Sequence, residues 1–391
     1  MAGVCLALAA SAPYADDISD FSPEIHGFIS QGYLHSEKNS YFHETEDGTW
    51  DFREYGININ ERLTPELTIG AQIFGRDLGD IGNDEVVLDW ATFDYRWLNT
   101  LGARVGKIKI PAGFHNETRG IDALHPWIIL PQSVYDEIVR DAITALVGGS
   151  LYGTINLGNA GTLQYQALVG ELDIPDESGV EKSVNDSGLL TFEDYNPDVS
   201  YVGSLIYSPN DSGIRIGVTY QESPTTIDTL TVASETIPPG IPTPIDIEDP
   251  TTVILSAEWQ REALTVLGEI GQSDEDLDFG NGFVIPMRTE GWYLSADYEF
   301  TDWFSAALTY SEYYPDRNDK NGQVPVSEGG YDFEGWQKEW IISTRFNIRN
   351  SVYLKLEHRF IDGTGNVLDQ YNDDELEQHW SMTAAKVTYI F

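Results

Sequence analysis

Apolar and polar residues alternate along most of the chain beyond its first 25 residues, and a repeat of two predicts β-strands. In residues 66–76, leucine, isoleucine and alanine alternate with threonine, glycine and glutamine. The same alternation recurs in residues 213–221 and 292–300. These stretches are about ten residues long, whereas strands of soluble sheets usually have about five or six. Their length suits a tilted strand that crosses a bilayer.

The segments between the predicted strands alternate between long and short. Short turns such as residues 63–65 and 301–302 separate long polar connections. About eight long and about seven short connections imply about sixteen antiparallel strands, an even number typical of single-chain bacterial barrels. The predicted fold is therefore an all-β, 16-stranded antiparallel transmembrane β-barrel. The long connections are residues 35–50, 77–84, 111–141, 173–197, 223–250, 273–287, 315–335 and 362–378.

The third long connection differs from the others in its sequence. A strand over residues 100–110 ends at Pro111, and a segment of mixed polarity follows that Pro126 and Pro131 interrupt. Long ordered loops inside compact domains are usually functional. We predict that residues 111–141, here called the constriction loop, fold into the barrel and narrow its channel.

The N-terminus resembles the end of a secretory signal peptide. Residues 4–12 are small and apolar, and residues 11–15 resemble a cleavage site. The predicted organisation is a signal-peptide remnant at residues 1–15 and a single transmembrane β-barrel domain at residues 16–391. A disordered apolar N-terminus is the alternative.

The last strand, residues 379–391, ends in Phe391, which shares one face with Val387 and Tyr389. A terminal phenylalanine after alternating apolar residues resembles the assembly signal of outer-membrane barrel proteins. Together with the alternating connections, this resemblance predicts a location in the outer membrane of a Gram-negative bacterium.

The charge of the chain is strongly negative. It has 64 acidic and 22 basic residues, for a net charge of −42, which argues against nucleic acid as a partner. The single cysteine, Cys5, lies in the N-terminal apolar run, so the predicted barrel has no disulfide. The acidic excess lies mainly in the long connections, such as residues 274–278 and 373–377. We expect no cofactor, although divalent cations could bind at these acidic loops and bridge them to lipopolysaccharide.

Alternation also assigns side chains to the lumen. Arg62, Arg76 and Arg104 face inward, and so do Glu269, Glu357, Lys355 and Lys386. Strict alternation would turn Lys107 and Lys109 towards lipid. A charge at mid-bilayer costs roughly 2–4 kcal/mol. We therefore predict a β-bulge near Gly106, which would turn both lysines inward. Lysines that extend from the membrane rim to water are the alternative.

The sequence RVGKIKIPAG at residues 104–113 resembles the strand that leads into the third loop of Gram-negative porins. It is most similar to the phosphate-selective and related substrate-specific porins, although the phosphate-selective members carry more basic residues. The resemblance implies a homotrimer of sixteen-stranded channels with an inward-folded third loop. By position, it implies a pore constriction formed by Arg62, Arg76, Arg104, Lys107, Lys109, His115, Glu117, Arg119, Asp122, Asp136, Glu137 and Arg140.

The leading functional hypothesis is a porin for passive diffusion of small hydrophilic solutes and ions. One alternative is a substrate-specific channel for anions, dicarboxylates or sugars. Another is a structural or adhesive barrel whose acidic loops bind a partner. The sequence does not predict an enzyme, because His125, His358 and His379 lie in no recognisable serine motif. The expected partners are outer-membrane lipid, lipopolysaccharide and small solutes.

Overall fold

The computed structural model describes residues 22–79, 81–175, 177–232, 238–280, 282–368, 371–372 and 376–391. The predicted signal-peptide remnant lies outside these residues. The described strands belong to one sheet of eighteen strands, in which the strands pair antiparallel.

Sixteen of these strands form a closed ring, which confirms the predicted fold. Strand β1 pairs with β18 on one side and with β2 on the other, so the ring has no free edge. At the closure, Gly27 and Phe391 exchange two backbone hydrogen bonds of 2.9 and 3.0 Å. The ring consists of β1 (Glu24–Glu37), β2 (Phe52–Arg62), β3 (Leu67–Leu78), β4 (Val86–Leu98), β5 (Leu101–Lys109), β6 (Ala145–Asn156), β7 (Thr162–Leu172), β9 (Val199–Ser208), β10 (Ile214–Glu222), β12 (Ile245–Arg261), β13 (Leu264–Asp278), β14 (Val284–Thr301), β15 (Phe304–Tyr314), β16 (Gln337–Arg349), β17 (Val352–Gly363) and β18 (His379–Ile390).

Two further strands lie in connections that the sequence predicts as loops. Strands β8 (Leu190–Pro197) and β11 (Thr225–Thr231) pair with each other, and β11 also pairs with β12. The described α-helices are short: α1 (Arg140–Ile143), α2 (Gly179–Asp186) and α3 (Gln323–Glu328). None of the described helices is long and apolar enough to cross a membrane.

The predicted loop at residues 273–287 is mostly strand. Strands β13 and β14 extend through it and leave only residues 279–283 as a connection. The acidic run at residues 274–278 therefore lies in a ladder, where Arg288 of β14 pairs with Asp276 at 2.5 Å. Arg317, in the connection after β15, pairs with Asp274. The sequence predicts a loop here because the residues are charged. Cross-strand pairs of opposite charge, however, stabilise a sheet.

The two faces of the wall have opposite character. Large apolar side chains such as Phe93, Val105 and Leu294 are more than half exposed on the outside. Serines and threonines, among them Ser256 and Thr309, are buried on the inside. Exposed aromatic residues near the strand ends form the belts expected at the two membrane interfaces. They include Trp97, Trp303 and Phe391 near the short turns, and Trp340 and Phe360 nearer the long connections.

Candidate functional site

The constriction loop lies inside the barrel between β5 and β6. It contains two 3-10 turns, Asn116–Thr118 and Asp122–Leu124, and continues into α1. Three groups of apolar side chains pack the loop and the adjoining Ile110 against different sectors of the wall, so hydrophobic burial fixes it from several sides. These groups are Ile128 and Ile129 with Leu34, Trp380 and Met382; Ile110 and Ala112 with Leu146, Leu168 and Ile254; and Trp127, Leu130 and Tyr135 with Leu267, Tyr293 and Ile341.

A cluster of buried charges around Glu137 fixes the second half of the loop; we call it the Glu137 cluster. Its carboxylate lies 2.5 Å from the Arg76 guanidinium, 2.9 Å from that of Arg119 and 3.2 Å from that of Arg140. Burial alone would raise the pKa of Glu137, but the three guanidinium groups hold it well below its usual range. Arg119 also donates to the backbone carbonyls of Tyr135 and Asp136 at 2.6 and 2.5 Å. The cluster therefore connects the loop to β3 through Arg76.

Asp122 fixes the tip of the loop to strands β17 and β18 of the wall. Lys355 on β17 lies 2.9 Å from the Asp122 carboxylate and donates to three loop carbonyls at 2.5 to 2.8 Å. Lys386 on β18 lies 3.5 Å from the same carboxylate, and the Thr388 hydroxyl donates to it at 2.9 Å. Burial would raise the pKa of Asp122, but the two ammonium groups hold it well below its usual range.

Glu54 on β2 connects the two ends of this network. It forms ion pairs with Arg140 at 3.4 Å and with Lys386. Charges therefore run continuously from Glu137 to Asp122. Burying charged groups costs free energy because they lose their hydration. Removing one partner of a buried pair costs more, because it leaves an uncompensated charge inside the protein. The network thus favours one position of the loop over displaced ones.

Two wall carboxylates provide further anchors that the sequence did not identify as functional. Glu357 accepts from the Ile128 amide at 2.8 Å. Glu269 accepts from the hydroxyls of Tyr135 and Tyr293 at 2.6 Å each and from the Phe114 amide at 2.8 Å. Alternation placed both carboxylates in the lumen, but their contacts depend on the path of the loop.

The predicted constriction residues fall into several environments. The charged residues buried in the network are Arg76, Arg119, Asp122, Glu137 and Arg140. His115 packs between the rings of Trp127 and Tyr135, and burial lowers its pKa.

Arg62 is exposed at the end of β2 beside a short turn. Glu117 is exposed on the loop, Asp136 is half-buried beside Glu137, and Arg104 lies on the wall. Their role as a pore constriction stays a prediction.

Lys107 and Lys109 both reach carboxylates rather than lipid. Lys107 pairs with Asp173 at 2.7 Å, and Lys109 pairs with the buried Asp89. The predicted bulge near Gly106 is absent, because the ladders on both sides of β5 pass through this residue without a register shift. Gly106 instead has a φ of +127°, and an added Cβ would lie 2.1 Å from a carbonyl oxygen of β4. The extra residue lies in β4, where the register with β3 shifts next to Asp89.

The loop covers one side of the lumen more completely than the other. The side chains of Lys355 and Arg359 on β17 are 0% exposed, whereas Arg104 on β5 and Arg215 on β10 are 28% and 44% exposed. The carboxylate of Glu117 on the loop lies close enough to Arg104 and Lys109 for their positive charges to act on it. The inner wall that retains exposure includes Asp94, Arg96, Arg104, Tyr152, Gln164, Gln166 and Arg215.

Cavities lie on both sides of the loop. An outer cavity of about 500 Å³ lies at the ends of the strands that carry the long connections. An inner cavity of about 260 Å³ lies beside the short turns and is lined by polar residues, among them Asp297, Glu299 and Arg345. No three His, Cys, Asp or Glu side chains among the described residues are placed to hold a metal ion. Divalent cations at the acidic loops stay a prediction.

The ionisation of Asp136 should make loop stability depend on pH. Burial raises the pKa of Asp136 from 3.8 to about 6, and Glu137 adds to the rise, while the Ile138 amide and Arg119 oppose it. Because the pKa is higher in the folded state, this stabilisation is fully present below about pH 4 and is lost as the pH rises through 6. We expect hydrogen exchange of residues 131–140, corrected for intrinsic rates, to show more protection at pH 5 than at pH 7.

Asp136→Asn provides the control for this prediction, because an amide oxygen can still accept from the Ile138 amide. The difference between pH 5 and pH 7 should disappear in this variant. If it persists unchanged, another group causes it.

Sequence comparisons find no relative, but structural comparisons find many. No protein-family model and no curated protein sequence matches the chain. OmpT, an outer-membrane protein of Vibrio cholerae, is 9% identical with a TM-score of 0.57, and the match covers 94% of this chain and 97% of OmpT. The anion-selective porin of Comamonas acidovorans is 14% identical with a TM-score of 0.56, covering 95% and 100%. Salmonella typhi OmpF, in complex with daunomycin, is 10% identical with a TM-score of 0.57, covering 95% and 98%. At these identities, the comparisons establish a shared fold.

Proposed function

We propose that this protein is a porin of the bacterial outer membrane, through which small hydrophilic solutes and ions diffuse passively. The observation that carries the proposal is a closed sixteen-stranded barrel whose constriction loop is fixed inside, while charged side chains on part of the inner wall stay exposed. A barrel of this size is wide enough for an aqueous channel. The apolar outer face and its aromatic belts support a membrane location.

The mechanism follows from the charges that remain accessible. Glu117 on the loop lies within electrostatic reach of Arg104 on the wall, and Arg96 lies on the neighbouring strand of that wall. Positive and negative groups on opposite sides of a narrow passage produce a field across it, which orients polar solutes and sets ion preference. Two of the exposed wall cations are paired with carboxylates, since Arg104 pairs with Asp94 at 2.6 Å and Arg215 with Glu258 at 2.9 Å. We therefore expect weak ion selectivity.

Single-channel recording of the purified protein in a planar bilayer tests this function. Discrete ohmic steps, with a small reversal potential under a KCl gradient, are expected. A folded protein that inserts without producing steps would contradict the proposal and favour the structural or adhesive barrel.

Removing one wall charge should shift ion selectivity. The Arg104→Gln variant keeps the carboxylates of Asp94 and Glu117 but lacks the guanidinium that pairs with Asp94. One unit charge at 4 Å is worth about 1 kcal/mol in water and acts with opposite sign on the two ions, so the potassium-to-chloride permeability ratio should rise by up to about thirtyfold. Reversal potentials under a KCl gradient measure this ratio. Arg349→Gln, at an exposed arginine beside a short turn, should leave it unchanged. A lower ratio in Arg104→Gln would contradict the assigned position of the passage.

A second candidate is a channel specific for small anions. Arg96 and Arg104 both lie over the ring of Tyr152, with guanidinium-to-centroid distances of 5.4 and 4.4 Å. Two guanidinium groups beside one aromatic ring could bind a phosphate or a carboxylate, and an anion-selective porin shares the fold. Block of the KCl current by millimolar phosphate or succinate, absent in Arg104→Gln, would favour this candidate over a general porin.

Assembly as a homotrimer is also part of the proposal. A trimer form of Vibrio cholerae OmpT, which shares the fold, supports it. Light scattering of the detergent-solubilised protein, with the detergent mass subtracted, should give three chains per particle. A mass of one chain would contradict the trimer without affecting the channel.

A further inference from the structure

The outer cavity differs from the polar lumen in the character of its lining. Apolar side chains supply most of its surface, including Ile138 and Ile143 from the loop segment, Val180 from α2, and Leu277 from β13. At about 500 Å³, it has the size of a site for a drug-sized molecule. A strongly hydrated ion would lose its water here without enough polar groups in exchange. The cavity therefore suits a solute with an apolar body.

The charged groups that line this cavity have one sign. Asp136 and Glu275 line it, and no lysine or arginine does so among the described residues. The Ile138 amide holds the Asp136 carboxylate in place at 2.8 Å. Two tyrosines, Tyr195 and Tyr313, add aromatic rings to the lining, and the faces of such rings attract cations. Charge complementarity thus favours a cation over an anion.

We propose that the outer cavity binds lipophilic monocations, meaning organic ammonium or phosphonium ions on an apolar body. The apolar lining takes up the body, while Asp136 and Glu275 compensate the charge. Because binding needs no transport, this site can exist whether or not the barrel conducts ions. A membrane lipid or detergent tail is the competing occupant, and it would need no carboxylate.

Tetraphenylphosphonium is a suitable probe, because tetraphenylborate has nearly the same size and the opposite charge. Calorimetric titration of the full-length protein in lipid nanodiscs, with empty nanodiscs as a blank, measures binding of both ions. Saturable binding of one phosphonium per chain is expected, with borate at least about tenfold weaker. Equal affinity for both ions, or uptake that does not saturate, would overturn the proposal.

Variants locate the site. Ala142→Phe adds bulk to a residue that lines the cavity and should weaken phosphonium binding by about tenfold or more. Ser183→Phe adds bulk from α2, outside the constriction loop. Weaker phosphonium binding in this variant would therefore not result from altered packing of the loop. Ala123→Phe, at a residue that lines the inner cavity, is the matched control and should leave binding unchanged. Asp136→Asn should weaken phosphonium binding but not borate binding. Unchanged phosphonium affinity in both Ala142→Phe and Ser183→Phe would place binding elsewhere.

Discussion

Replacing Glu137 by glutamine is expected to release the second half of the constriction loop and to increase single-channel conductance. The substitution keeps the shape of the side chain but removes a carboxylate that contacts the guanidinium groups of Arg76, Arg119 and Arg140 together. Breaking a buried ion pair by removing one partner typically costs about 3–5 kcal/mol. A displaced loop would let the guanidinium groups reach water, so the free energy of loop displacement should fall by an amount of this order.

Two measurements follow this release. Hydrogen exchange of residues 131–141 should become faster while the strands stay protected, and conductance in planar bilayers should rise or fluctuate between levels. Glu117→Gln is the matched control, because it removes a carboxylate from an exposed position on the same loop. It should change ion selectivity without changing loop exchange. Unchanged exchange in Glu137→Gln would mean that the apolar contacts alone hold the loop.

The barrel was predictable because side-chain direction in a strand follows from position alone. A repeat of two fixes which residues face the lumen, so Glu269, Lys355 and Lys386 could be assigned to the inside without a structure. The alternation of long and short connections then gave the strand number. Both signals are local along the chain and need no knowledge of tertiary contacts.

The arrangement inside the barrel was less predictable because it depends on the path of one irregular segment. Alternation shows that Lys355 faces inward, but not that it meets three carbonyls and a carboxylate of the constriction loop. The expectation for Gly106 failed for a related reason. A glycine marks an unusual backbone, yet the register shift lies in the neighbouring strand beside Asp89. Residues 190–197 and 225–231 form strands outside the ring, where no membrane imposes a regular pattern.

Most of the charged residues inside the barrel hold the constriction loop in place, and few of them are accessible to ions. Of the basic residues assigned to the constriction, Arg76, Arg119 and Arg140 are almost fully buried in ion pairs. The large net negative charge therefore says little about selectivity, which depends on the few groups that water reaches, such as Arg104 and Glu117. Counting charges along the sequence cannot separate these two roles, because burial decides between them.

Replacing Lys355 by methionine is expected to free the tip of the loop, which the contacts of Asp122 hold against β17 and β18. Methionine keeps most of the side-chain volume, but it leaves the Asp122 carboxylate with the more distant Lys386 and leaves three buried carbonyls without this donor. Losing one partner of a buried pair again costs about 3–5 kcal/mol. Hydrogen exchange of residues 120–130 should accelerate accordingly. Lys320→Met, at a 42% exposed lysine paired with Glu290, should cost less than about 1 kcal/mol.

Combining Lys355→Met with Glu137→Gln tests whether the network acts as one unit. Glu54 contacts both Arg140 of the Glu137 cluster and Lys386 beside Asp122, so a change at either end alters the surroundings of the other. Residues that share a network usually show interaction energies of about 0.5–3 kcal/mol in a double-mutant cycle. A loop that one substitution has already released loses less stability from the second substitution. The sum of the destabilisations of the two single variants should therefore exceed the destabilisation of the double variant. Strict additivity of the exchange free energies would show that the two anchors are independent and that Glu54 does not couple them.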